Sequence, residues 1–175
     1  ELNASTFAAR VAASTGASLA ASALAGLAAL SGPRHGGASA ALRSLVAEAG
    51  EQGAAAAIAS RLAQDRSLPG FGHPLYPEGD PRAQALLDRF EPTAELASLR
   101  AAVEGATGKA PNVDFALVAL ADRLGLPKDA PFALFATARC AGWLAHAREQ
   151  VQTGHLIQPR ARYAAQRHAP PATAP

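Results

Sequence analysis

Residues 17–30 read Ala17-Ser18-Leu19-Ala20-Ala21-Ser22-Ala23-Leu24-Ala25-Gly26-Leu27-Ala28-Ala29-Leu30. The run holds no charge, no aromatic ring and no proline. Alanine has the highest helix propensity, because its side chain loses no rotamer entropy. Small residues also let backbones approach closely, which suits a buried helix. The same character reaches back to Ala4, so residues 4–30 are predicted as one helix. Ser18, Ser22 and Gly26 interrupt the apolar 17–30 run, which is too short and too alanine-rich for a membrane span. No positively charged n-region precedes it, so it does not read as a signal peptide. Alanine supplies 47 of the 175 residues and aromatics only 5%, so an all-α protein of closely packed helices is expected.

The helical pattern continues beyond this run. Ser31-Gly32-Pro33-Arg34-His35-Gly36-Gly37 is rich in breakers and reads as a loop. Ala38–Gly50 resumes a helical period, with Leu42, Leu45 and Val46 on one face. Ala54–Gln64 is the next candidate. Leu68–Pro81 carries four prolines and three glycines, which no regular helix survives. Asp80-Pro81 is a helix start, with Asp as N-cap and Pro at the first helical position; this helix is predicted to run to about Phe90. Pro92 or Thr93 opens another to about Val103, and Gly105–Ala110 forms a loop. Pro111-Asn112-Val113-Asp114 opens a helix through Leu124, and Pro131–Val151 is the last long one. The tail from Arg160 is expected to fray.

Charge excludes some classes of function. Lys+Arg 16 against Asp+Glu 14 leaves +2, and the cations are scattered. A nucleic-acid surface needs them clustered, so neither nucleic acid nor a membrane is an expected partner. The one cysteine, Cys140, forms no intrachain disulfide and no metal-binding pair, and fits a cytoplasmic location. The chain begins at Glu1 in a segment that already reads as structured, so a piece of a longer polypeptide is expected.

The chemistry-bearing residues sit in the breaks, where a rigid scaffold usually presents them. His35 lies in the first Gly-rich break and His73 in Gly70-Phe71-Gly72-His73. Asp114 lies at a helix start, Arg82 follows His73, and Arg139 stands amid apolar residues of the last helix. The two histidines and the aspartate match no local metal-ligand spacing. They fit general acid–base chemistry, with Arg82 and Arg139 as anion clamps. Each also has a plainer role. His35 can be a cap or surface residue, Asp114 a helix-dipole residue, and Arg139 the partner of a buried carboxylate.

Read together, these segments resemble the citrate synthase family from Glu1 to about Tyr163. Glu1-Leu2-Asn3-Ala4-Ser5-Thr6 is similar to the end of the family's His-Glu-x-Asn-Ala-Ser-Thr segment. Ser31–Ala38, Gly70–His73 with Gly79–Ala83, and Pro111–Phe115 resemble its three active-site loops. Ala138-Arg139-Cys140-Ala141-Gly142-Trp143-Leu144-Ala145-His146 resembles its Arg-bearing C-terminal helix. The resemblance covers about the C-terminal half of a family member. It implies an all-α homodimer with a small domain, residues 36–137, and a large domain. Residues 1–35 and 138–163 belong to the large domain, completed by an N-terminal half not in this chain, and 164–175 form a flexible tail.

The implied reaction joins acetyl-CoA to oxaloacetate and hydrolyses the citryl thioester. By resemblance, Asp114 takes the methyl proton, His35 hydrogen-bonds the thioester oxygen, and His73 polarises the ketone. Arg82, Arg139 and Arg160 are the candidate carboxylate ligands. Gly70, Phe71, Gly72 and Asn112 lie near CoA, a co-substrate. No permanently bound cofactor and no metal is implied. Two departures stand out. Gln158 occupies the place of the first arginine in the family's Arg-Pro-Arg-x-x-Tyr pattern, which reaches the partner subunit's substrate. Pro74 and Pro77 stand where many members carry basic residues facing CoA phosphates. A propionyl-CoA-using, 2-methylcitrate-type enzyme and a non-catalytic CoA- or oxoacid-binding homologue are the alternatives.

Overall fold

The computed structural model describes residues 2–160. These form helices α1 (Ala4–Ser14), α2 (Leu19–Leu30), α3 (Pro33–Gly36), α4 (Ala38–Gln52), α5 (Ala54–Ala63), α6 (Pro81–Leu87), α7 (Ala94–Thr107), α8 (Val113–Arg123) and α9 (Ala130–Thr153). No β-strand occurs among the described residues, as the alanine-rich composition predicts. The expected frayed tail lies outside the described residues.

Two predicted boundaries change. Residues 4–30 are two helices, separated by a turn at Thr15-Gly16. Ser18 starts the second, its hydroxyl accepting from Ala21 N at 3.2 Å, so a polar interruption of the run acts as a cap. Ser31–Gly37 is not all loop, because Pro33 opens the single helical turn of α3. A Cβ on Gly36 would run into the Leu30 carbonyl and the Phe132 ring, so this turn needs glycine to pack. The remaining helices lie within a few residues of their predicted ends. α7 runs on to Thr107, four residues past its expected end, and stops where Gly108 takes the left-handed conformation.

Apolar side chains gather into two clusters. The larger joins Leu42, Leu45, Ile58, Leu96, Leu99, Val103, Phe115 and Val118, all buried, from α4, α5, α7 and α8. Each such side chain contributes roughly 1.5–3 kcal/mol when withdrawn from water. The smaller surrounds Trp143, with Ala9 and Leu30 beside Phe132, Phe135, Ala136 and Cys140. Here α1, α2 and α9 pack together. Gly26 makes that possible, since a Cβ there would stand 2.8 Å from the Trp143 ring.

The irregular stretch before α6 is pinned to the start of α8. Gly72 N donates to Ala110 O at 2.8 Å and Asn112 N to Gly70 O at 2.9 Å, in an isolated antiparallel bridge of Phe71 with Pro111. The Phe71 ring meets Phe115 at 5.1 Å between centroids. This docking carries His73 toward Asp114. No helix among the described residues is long and apolar enough to cross a membrane.

Candidate active site

One cleft of about 460 Å³ collects His35 from α3, His73 from the irregular stretch, Arg82 from α6, Asp114 from α8 and Arg139 from α9. Five residues separated widely in sequence thus face one space. Phe132, Phe135 and Leu75 supply apolar lining. The two histidines and Asp114 belong to no group able to hold a metal ion among the described residues.

Asn112 caps α8. Its side-chain oxygen accepts from Asp114 N at 3.0 Å and Phe115 N at 3.4 Å, and its amide donates to Gly72 O at 2.9 Å. One side chain therefore starts the helix bearing Asp114 and ties it to the His73 loop. Burial pushes the Asp114 carboxyl above the usual carboxylate range. Arg82 opposes that rise, Asp80 adds to it, and His73 opposes it. No ion-pair partner holds Asp114 among the described residues, so its carboxylate is available as a base.

His73 has a defined tautomer when neutral. Leu75 N donates to its Nδ1 at 3.1 Å, so the ring proton resides on Nε2. The Tyr76 ring lies 4.9 Å from the imidazole, and the Arg82 guanidinium lies 5.1 Å from the centre of the same tyrosine. His35 is held from the other side. Its Nε2 is 2.8 Å from the buried Ser5 hydroxyl. That hydroxyl also accepts from Trp143 Nε1 at 3.1 Å and lies 2.9 Å from Asn3 Oδ1. Its single proton has two acceptors in reach. When it points at His35, the imidazole proton is on Nδ1, which has no protein partner among the described residues.

Two cations line the cleft in different ways. Arg82 is clamped by Asp80 through Nε at 2.9 Å and Nη2 at 2.8 Å. Its side chain remains about a third exposed. Arg139 has no carboxylate partner among the described residues; its guanidinium lies 5.6 Å from the Phe135 ring centre. The plain role of pairing with a buried carboxylate is therefore not what the fold gives it.

Other candidates are placed differently. Arg160 is exposed and absent from the cleft lining, as is Gln158. Phe71 is buried in the larger core, and Gly70 backs onto Leu42 and Phe115. Gly72 lines a neighbouring hollow of about 260 Å³ with His73, Tyr76 and Lys109. Asn3 and Tyr76 also line the cleft, and Ser5 and Asp80 bond His35 and Arg82. Asn3 and Asp80 cap α1 and α6, a local role that accounts for these residue types without a site. Ser5 lies in the family-like Glu1–Thr6 segment, which could have flagged it, whereas Tyr76 carries no local signal and only the folded chain sets it beside His73.

Comparisons with known proteins show the family and the fold. The family described as citrate synthase, C-terminal domain, matches residues 1–160. Citrate synthase 2 of Bacillus subtilis (strain 168) is 36% identical over 174 residues, covering 93% of this chain and 47% of that protein. A 2-methylcitrate synthase 2 of Corynebacterium glutamicum is 36% identical over 172 residues, covering 92% of this chain and 45% of that protein. The crystal structure of citrate synthase from Thermotoga maritima superposes with a TM-score of 0.79 at 37% identity, covering 97% of this chain and 50% of that one. The Thermoplasma acidophilum citrate synthase, solved as a ternary complex with carboxymethyl coenzyme A and oxaloacetate, superposes with a TM-score of 0.71 at 32% identity, covering 98% of this chain and 51% of that one. The chain spans about half the length of the curated relatives it matches. With the family model matched over residues 1–160 and relatives 36% identical over more than nine-tenths of its length, the chain belongs to the citrate synthase family.

Proposed function

We propose that this chain is the C-terminal part of an acyltransferase that condenses acetyl-CoA with oxaloacetate to give citrate and CoA. The observation that carries this reading is the convergence of His35, His73, Arg82, Asp114 and Arg139 on one cleft. The thioester methyl is a very weak acid, so base and oxyanion stabilisation must act together. Asp114 removes a methyl proton, its basicity raised by burial. His35 donates from Nδ1 to the thioester oxygen as negative charge develops there. The enol carbon then attacks the ketone carbon of oxaloacetate, whose oxygen accepts from His73 Nε2. Arg82 and Arg139 hold the carboxylates and fix the angle of attack. Water cleaves the citryl thioester, releasing citrate and CoA. The backbone at Gly70–Gly72, with Asn112, lies near CoA.

In this reading the larger cluster is the core of a small domain, residues 36–137. Residues 1–35 and 138–163 belong to a large domain that further chain completes, in a cytoplasmic homodimer. Propionyl-CoA is the second candidate substrate, because the Corynebacterium 2-methylcitrate synthase is as similar as the Bacillus citrate synthase. Gln158 supports a third reading, a homologue that binds without turnover, since neutral Gln cannot replace a bidentate cation.

The test is thiol release from acetyl-CoA by the full-length parent protein, with and without oxaloacetate. Oxaloacetate-dependent release, reduced at least ~100-fold by Asp114→Ala, is the expected result. Release only from propionyl-CoA selects the 2-methylcitrate reading. No release from either thioester, with intact folding, selects the non-catalytic one.

A further inference from the structure

We infer that Asp80 is a positioning residue that locks the Arg82 guanidinium and the start of α8 into one unit, setting the oxoacid grip and the base together. The inference rests on the proposed reaction. The Asp80 side chain is fully buried, with a relative exposure of 0%. Its Oδ1 accepts from Arg82 N at 3.0 Å and Arg82 Nε at 2.9 Å. Its Oδ2 accepts from Arg82 Nη2 at 2.8 Å and Val113 N at 2.9 Å. Helix capping of α6 uses only the first of these bonds. The other three reach the substrate-facing cation and the residue next to Asp114. A buried carboxylate with every acceptor position committed resists rotation, so the guanidinium it holds is pre-aimed.

The same carboxylate acts on the base through charge. Asp114 faces Arg82 and Asp80 at α6, His73 from the loop, His35 from α3 and Arg139 from α9. Asp80 offsets the Arg82 charge before it bears on Asp114. Burial still raises the Asp114 pKa when the Asp80 charge is removed, but a neighbour that adds to that rise against Arg82 and His73 is gone. That loss weakens the base.

Asparagine is itself a good N-cap, so Asp80→Asn separates capping from positioning. Whichever way its amide is turned, the NH₂ faces two donors. In the full-length parent, Asp80→Asn is expected to raise KM for oxaloacetate roughly tenfold to a hundredfold, the range for losing a charge-assisted hydrogen bond. KM for acetyl-CoA should stay within about threefold, and the acid limb of kcat/KM should move to lower pH. If Asp80→Asn does not fold, Val113→Pro serves instead, with Val113→Ala as the side-chain control. Proline suits the first helical position and deletes only the Val113 N–H donor. A kcat lower than that of Val113→Ala supports the link, and equal kcat overturns it. Asp80→Asn with unchanged KM and acid limb, whatever its melting temperature, leaves capping alone and sinks the inference while the reaction stands. A parent without oxaloacetate-dependent release sinks the reaction, and the inference falls with it.

Discussion

At the scale of single residues, the site works through side chains with more than one obligation. Ser5 is the clearest case outside the acid–base set. Its hydroxyl accepts from Trp143 and stands between Asn3 and His35. Only a proton directed at His35 Nε2 leaves Nδ1 able to donate to a thioester oxygen. Ser5→Ala removes that direction while leaving the imidazole in place. The expected outcome is a kcat lower by roughly tenfold to a hundredfold, with KM for oxaloacetate little changed, since one oxyanion donor contributes up to ~10²–10³. Steady-state kinetics on the full-length parent checks it; an unchanged kcat would show that His35 selects its tautomer without Ser5.

Elements place these residues by their ends and by their contacts. α8 begins where Asn112 caps it, and the same amide holds the His73 loop. α4 and α5 are joined by the Glu48–Arg61 pair, with Arg61 Nε and Nη2 each donating to Glu48 at 2.7 Å and Arg66 adding a third bond. The Arg61 hydrogen bond brings the Glu48 carboxyl down to about 2. Its pKa falls on folding, so this tie stabilises the fold above pH ~4.5 and is lost as pH drops toward 2. α2 reaches α9 only because Gly26 lets the Trp143 ring lie against its backbone. Gly26→Ala should therefore destabilise by about 1–3 kcal/mol, despite alanine's better helix propensity. A lower thermal midpoint by circular dichroism is the expected result, and a higher one would mean that the ring moves aside freely.

For the molecule as a whole, the exposed apolar surface matters most. Leu24 is 65% exposed, Val151 53% and Phe7 51%, all on the helices of the smaller cluster. Leu24 and Leu27 border an apolar hollow with Ala136, Cys140 and Trp143. Surfaces of this kind favour association in water. The 175-residue chain alone should elute above its monomer mass of 17.7 kDa in light-scattering chromatography. A monodisperse monomer would show that these side chains are tolerated in solvent.

Much of this was legible before folding was considered. Alanine-rich periodicity determined the helical class, and proline and glycine determined most of the breaks, because those effects are local to a few residues. Asp80-Pro81 marked a helix start for the same reason. The motifs around His35, His73, Arg82, Asp114 and Arg139 marked these residues as the candidates. Their convergence on one cleft depended on tertiary packing, since it needs the Phe71–Pro111 bridge and the Asn112 link between distant segments. Packing likewise decided that Ser5 holds His35 and that Arg160 stays outside the cleft, whereas the Ser18 cap that splits the first helix is local. Local composition carries propensity, but a proton direction, a paired charge or an unpaired cation depends on neighbours that sequence distance hides.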